Sequence, residues 1–174
     1  MSTTLTAPRT TAAKPWRLTG RARKLTLVLH LASVGSWLGL DVAMAVLVFT
    51  AMGTDDPGTK SVSFRALELV TVWPMTISGL ACLLTGVLLA YGSKYGLTKY
   101  WWVVVKLGLN LLLSTLVLIA LRPGVEELAH QARQPGAGLN ATDLIFPPIV
   151  SPTLLMVAVV LSVFKPWGRL RRKN

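Results

Sequence analysis

The chain is short of cysteine, of acid and of histidine, and each shortage removes a class of protein. One cysteine, Cys82, among 174 residues leaves no intrachain disulfide framework and no cysteine-built zinc cluster. Small secreted scaffolds and zinc fingers are excluded. Charged residues are 14% of the chain, against roughly 25% in an ordinary soluble domain, so a water-soluble fold is not expected. Asp and Glu number 7 against 18 Lys and Arg, but the basic excess gathers at the two chain ends rather than along a folded face. It therefore does not read as nucleic-acid binding. The chain carries no Walker loop, nucleotide-binding glycine motif, nucleophile elbow or HExxH, which speaks against an autonomous hydrolase or kinase.

What is present is apolar. Hydrophobic residues make up 52% and concentrate in four stretches, Leu25 to Met52, Leu67 to Tyr91, Tyr100 to Leu121 and Leu144 to Phe164. Each is near or above the ~20 residues that span a hydrocarbon core. Backbone in lipid must satisfy its own hydrogen bonds, and runs of this length without two-residue alternation do so as helices. The predicted fold is all-α, a four-helix transmembrane bundle over 25–164 between basic tails at 1–24 and 165–174. The first run exceeds a signal-peptide core and lacks a clear cleavage site, so it is expected to be retained. The tail before it reads as a topology-setting basic segment, with an organellar transit peptide as the alternative.

The connections are too small for a soluble catalytic domain. In the last, Pro123 is expected to open a short helix with Glu126 and Glu127 early and His130 and Arg133 late, the order the helix dipole favours. Its apolar face, Val125, Leu128, Ala129 and Ala132, suggests a helix lying on the membrane surface. Pro74 is expected to kink the second span. Pro147, Pro148 and Pro152 are expected to delay the fourth helix until near Thr153.

Counting Lys and Arg in the flanks gives thirteen for the two tails and the middle loop and four for the other two loops. By the positive-inside rule both termini are expected to be cytoplasmic, in a bacterial inner membrane. Tyr91, Tyr100, Trp73, Trp101, Trp102 and Trp167 fall near helix ends, where amphipathic rings anchor at the interface. Asn140-Ala-Thr142 matches a glycosylation sequon, which matters only on a eukaryotic secretory route.

Ionisable side chains inside the apolar core are functional candidates by default, and three stand out: His30, Asp41 and Lys106. His30 and Asp41 fall within about 20° of one helix face, and Lys106, Asn110 and Ser114 follow at four-residue steps on the third span. Matching depths pairs His30 with Lys106 and Asp41 with Asn110. A lysine in the position of Lys106 also fits snorkelling toward the cytoplasm. Gly35 and Gly39 form a small-xxx-small pair expected to admit a neighbouring helix within the chain, while Gly79 and Gly86 allow close packing on the second span. A buried histidine can ligate haem iron or copper or carry a proton, with Met44, Met75, Met156 and Cys82 as soft partners. It can also serve packing alone, and the metal, if any, is left unknown.

The segment Leu29-His30-Leu-Ala-Ser-Val-Gly-Ser-Trp37-Leu-Gly39 resembles the His-x6-Trp-x-Gly opening of small bacterial integral-membrane families of unknown function. These are distantly related to copper-resistance D proteins and haem-binding four-helix protoporphyrinogen oxidases. Thr85 to Leu107 is similar to the segment joining helices two and three of the uncharacterised group. In the oxidases a first-helix histidine binds haem and a lysine is required, so the resemblance implies those roles for His30 and Lys106. The chain departs from them by having no second membrane histidine and by its acid at Asp41. The leading expectation is a bundle without autonomous catalysis that packs its polar stripe or binds a small ligand, in the lipid bilayer and with a homo-oligomer open. A haem-linked oxidoreductase using His30 and Lys106, and a copper or small-solute permease component, are the alternatives.

Overall fold

A computed structural model describes residues 18–92, 97, 100–134, 138 and 142–164, and among these the chain is helical. Residues 1–17 and 165–174 of the two tails, and Asn140 and Ala141 of the sequon, lie outside the described residues, and α1 already includes the last five residues of the first tail. Four helical stretches are long and apolar enough to cross a membrane: Gly20–Gly53, Pro57–Tyr91, Trp101–Gln131 and Pro147–Phe164. The first is α1. The second runs through α2 (Pro57–Val70), a π-helical turn at Thr71–Met75 and α3 (Thr76–Tyr91). The third runs through α4 (Trp101–Leu116), a π-helical turn at Val117–Leu121 and α5 (Arg122–Gln131). The fourth is α6 (Pro147–Phe164).

The connections expected on one side are thus partly helical extensions. Asp56 caps α2, accepting from the amides of Gly58 and Thr59, and Pro57 fills the first helical position, where no amide is needed. Pro74 sits inside the π-helical turn, and the helix continues through it. On either side of it Thr71 and Thr76 donate their hydroxyls back to the carbonyls of Leu67 and Val72, the i−4 bond of a helical threonine. Nor does α6 wait for Thr153. Pro147 and Pro148 stand in its first turn, where missing amides cost nothing, and only Pro152 is interior.

The expected short helix at Pro123 is α5, but it continues α4 rather than standing alone. Its apolar face buries Val125, Ala129 and Ala132 against α2. Ser61 donates to the carbonyl of Ala132 at 2.6 Å, and Arg133 pairs with Glu68, so the two extensions clasp each other.

Beyond that clasp the helices close a ring in which α1 packs on α3, α3 on α4, α4 on α6 and α6 on α1. Consequently α1 and α4 face each other diagonally. The core of the ring is Trp37, Met44, Met75, Cys82, Leu113, Val117 and Leu155 with their neighbours. The outer surface is apolar as well: Leu25, Val28, Val42, Val46, Ile77, Leu84, Ile119 and Val163 are all exposed. Such a surface far exceeds what a soluble monomer shows to water and is the surface lipid would cover. Of the expected interfacial rings, Trp73, Tyr91 and Trp101 are exposed, but Trp102 is buried, and Trp167 lies outside the described residues.

Gly35 and Gly39 do not receive a helix of this chain. A Cβ added at either would meet nothing within 4 Å. The close approaches are at Gly79, where a Cβ would lie 2.8 Å from the Trp37 ring, and at Gly86, where it would lie 3.3 Å from His30 Cε1.

Candidate functional site

At the end of the ring where α1 and α4 begin and α3 and α6 end lies a cavity of about 390 Å³, within the range of small-molecule sites. His30 on α1, Cys82 on α3, Lys106 and Asn110 on α4 and Ser162 on α6 supply its polar groups. Leucines and valines from the same helices supply the rest, with Arg23 also lining it. Apart from Leu97 of the α3–α4 connection the lining is helical, so the polar groups stand on rigid elements.

The histidine is held in one orientation. Thr85 donates its hydroxyl to the carbonyl of Ala81 at 2.6 Å, the i−4 back-bond available to a helical threonine. Its oxygen is left to accept from His30 Nδ1, 3.0 Å away. The tautomer assigned by this network carries the proton on Nδ1, which leaves Nε2 with its lone pair uncommitted. Gly86 makes room for the ring. Cys82 Sγ lies 4.0 Å from Nδ1 and accepts from Asn110 Nδ2 at 3.1 Å. Threonine, cysteine and glycine thus hold the Nδ1 side of one imidazole that lines the cavity, and asparagine holds the cysteine.

Lys106 stands in the wall opposite. Its ammonium donates to Ser162 Oγ at 2.6 Å and lies 5.3 Å from the centre of the Trp102 ring, a cation–π distance. The charge is therefore tied into the bundle by α6 and by the inward-turned tryptophan, whereas snorkelling would carry it out to an interface. Because α1 and α4 are diagonal, His30 and Lys106 share the cavity without bonding each other.

The same diagonal separates the second expected pair. Asp41, fully buried, accepts from Ser151 of α6 at 3.0 Å, while Asn110 bonds Cys82. Ser114 is buried behind Asn110 without a partner for its hydroxyl among the described residues. Sequence reasoning had no azimuth and set Asn110 level with Asp41, whereas Asn110 meets Cys82 beside His30; it also missed Ser151, Ser162 and the role of Thr85. A visible signal existed for the last two: a hydroxyl level with each candidate on a neighbouring span.

The soft metal partners thin out. Met44 and Met75 lie in the core and Met156 is exposed; of the four, only Cys82 lines the cavity. Among the described residues no three His, Cys, Asp or Glu side chains gather into a metal site. If a haem were bound, His30 would be the residue to hold it, and among the described residues no second histidine lines the cavity. Comparison with protein-family models, curated proteins and solved structures finds no match to any of them.

Proposed function

We propose that the chain is a four-span integral protein of a bacterial inner membrane, with both termini cytoplasmic, and that its cavity binds a small amphipathic molecule without autonomous catalysis. The thirteen-to-four division of basic residues supports the orientation, and would place the cavity toward the cytoplasm. The His-x6-Trp-x-Gly opening supports kinship with the uncharacterised four-helix membrane group. The bilayer covers the apolar surface; the face carrying Gly35 and Gly39 is left for lipid or a second copy of the chain.

One observation carries the ligand reading: the bond that commits His30 Nδ1 to Thr85 leaves Nε2 of a half-buried imidazole free to accept in a mostly apolar cavity that Lys106 also lines. A complementary molecule has an apolar body, a hydroxyl or amine that donates to Nε2, and an acceptor or negative charge toward Lys106. A haem-linked oxidoreductase using His30 and Lys106 is the alternative that the resemblance supports.

Extraction of the protein after purification in mild detergent, followed by mass analysis of what is released, tests this reading. The expected result is a stoichiometric small amphiphile. A Soret band in the absorption spectrum would instead establish haem, and an empty protein that binds no hydroxylated amphiphile would remove the ligand reading.

A further inference from the structure

Four buried side-chain polar atoms lack a hydrogen-bond partner among the described residues: Asn110 Oδ1, Ser114 Oγ, Trp37 Nε1 and Asp41 Oδ1. Buried polar groups are almost always satisfied, and an orphan calls for water or an ion. These four are not scattered. Asn110 lines the cavity; Ser114 is one turn further along α4. Trp37 and Asp41 are successive turns of the facing helix α1, which runs in the same direction. Ser114 Oγ and the Trp37 ring both come within 3.3 Å of the position a Gly79 Cβ would occupy, so the two columns meet at the centre of the ring. The residues that carry these atoms thus line up as one file along facing stripes of α4 and α1, from the cavity to Asp41.

At the far end of that file stands a carboxyl with no exposure to solvent. Oδ2 takes the Ser151 hydroxyl and Oδ1 takes nothing. Pro148, buried on the same stripe of α6, adds a carbonyl aimed along the axis toward Ser151, deprived of its i+4 amide because residue 152 is proline. Among the described residues no charged group pairs with Asp41. α6 carries no titratable residue; His30 on α1, Cys82 on α3 and Lys106 on α4 sit at the cavity. On α2, Arg65 is exposed, Glu68 pairs with Arg133, and Lys60 makes no ion pair with Asp41. An ionised carboxylate in this place is uncompensated, and a neutral one has a hydroxyl to place.

We infer that Asp41 is an intramembrane proton-binding site, loaded and unloaded from the cavity through water held between Asn110, Ser114 and Trp37. The step is a transfer of H⁺ from a hydronium that enters the file from the cavity to the Asp41 carboxylate at Oδ1, making one O–H bond, breaking another and leaving neutral water, with reversal on release. Internal carboxyls of this kind mark proton pathways in membrane bundles. The inference goes beyond ligand binding and stands whatever the cavity holds.

Infrared difference spectroscopy on the full-length protein in nanodiscs tests it through the C=O stretch of a protonated carboxyl. The wild type is expected to show such a band that rises and falls reversibly with pH and shifts promptly in D₂O. Asp41→Asn should lack the band, and Asp41→Glu should restore one at a displaced frequency, which guards against loss by misfolding. Ser114→Leu, which fills the file, should keep the band and slow its deuterium shift several-fold. A carboxyl band that neither titrates nor exchanges would overturn the inference, as would the persistence of the titrating band in Asp41→Asn. Unslowed exchange in Ser114→Leu would overturn the route.

Discussion

His30 Nδ1 and Thr85 Oγ1 lie 3.0 Å apart across the contact between α1 and α3, and the direction of that bond decides what the cavity offers. Because the threonine hydroxyl is donated to Ala81, the imidazole must give its proton to Thr85 and keep its lone pair on Nε2. Nitrogen-15 spectra of histidine-labelled protein should show His30 as the Nδ1–H tautomer. Thr85→Val should release that constraint and mix the tautomers, at a stability cost of ~1 kcal/mol for the lost hydrogen bond, whereas Thr85→Ser should preserve both. An Nε2–H tautomer in the wild type would reverse the cavity's polarity.

The glycines sort by what faces them. Gly79→Ala would drive a methyl into the Trp37 ring, and overpacking of this kind costs ~1–3 kcal/mol. Gly35→Ala and Gly39→Ala meet nothing and should leave thermal unfolding in detergent unchanged or slightly raised. A larger loss at Gly35 than at Gly79 would mean that an additional surface covers α1.

Asp41 and Ser151 should be energetically coupled. A double-mutant cycle with Asp41→Asn and Ser151→Ala should give ~0.5–2 kcal/mol, as for polar contacts between membrane helices. The cycle pairing Asp41 with Asn110 should be additive, since the bundle puts them on diagonal helices.

Outside the spans, Asp56 governs the start of α2. Hydrogen bonds from the Thr59 hydroxyl, then from the amides of Thr59 and Gly58, hold its carboxyl below the usual carboxylate range. The folded state thus binds this proton more weakly than the unfolded chain. The stabilisation is fully present above the unfolded value of ~3.9 and fades as pH falls through the depressed folded value. Asp56→Ala should lower the unfolding temperature slightly at neutral pH and not at strongly acidic pH, as thermal scans at the two conditions would show.

The four spans were legible because lipid demands an unbroken apolar run, and a run is a one-dimensional signal. So was the α5 helix, from Pro123 and its charge order, though not that it would bury Val125 and Ala129 against α2. That partner is itself signalled by Asp56-Pro57, an N-cap followed by a first-turn proline. The site was legible only in part. Periodicity places His30 and Lys106 inward and at matching depth, yet which helices adjoin is a property of the assembled ring. The exchange of expected partners, Asp41 to Ser151 and Asn110 to Cys82, follows from that. Trp102 was misread for a related reason: a tryptophan at a helix end suits an interface, and only the cavity below Lys106 explains its inward turn.

Reporter fusions address the orientation. A fusion after Asn174 should be active only in a cytoplasmic format and an insertion near Gly58 only in a periplasmic one; the opposite pattern would place the cavity at the outer face.

The central claim is that the cavity between His30 and Lys106 holds a small molecule. Native mass spectrometry of the protein released from mild detergent measures this most directly, comparing wild type with His30→Ala and Lys106→Met, each checked for an unchanged unfolding temperature. The account expects an added mass on the wild type that is lost or greatly reduced in both variants. An adduct equally retained in both folded variants, or a wild type without one even after exposure to hydroxylated amphiphiles, would contradict it.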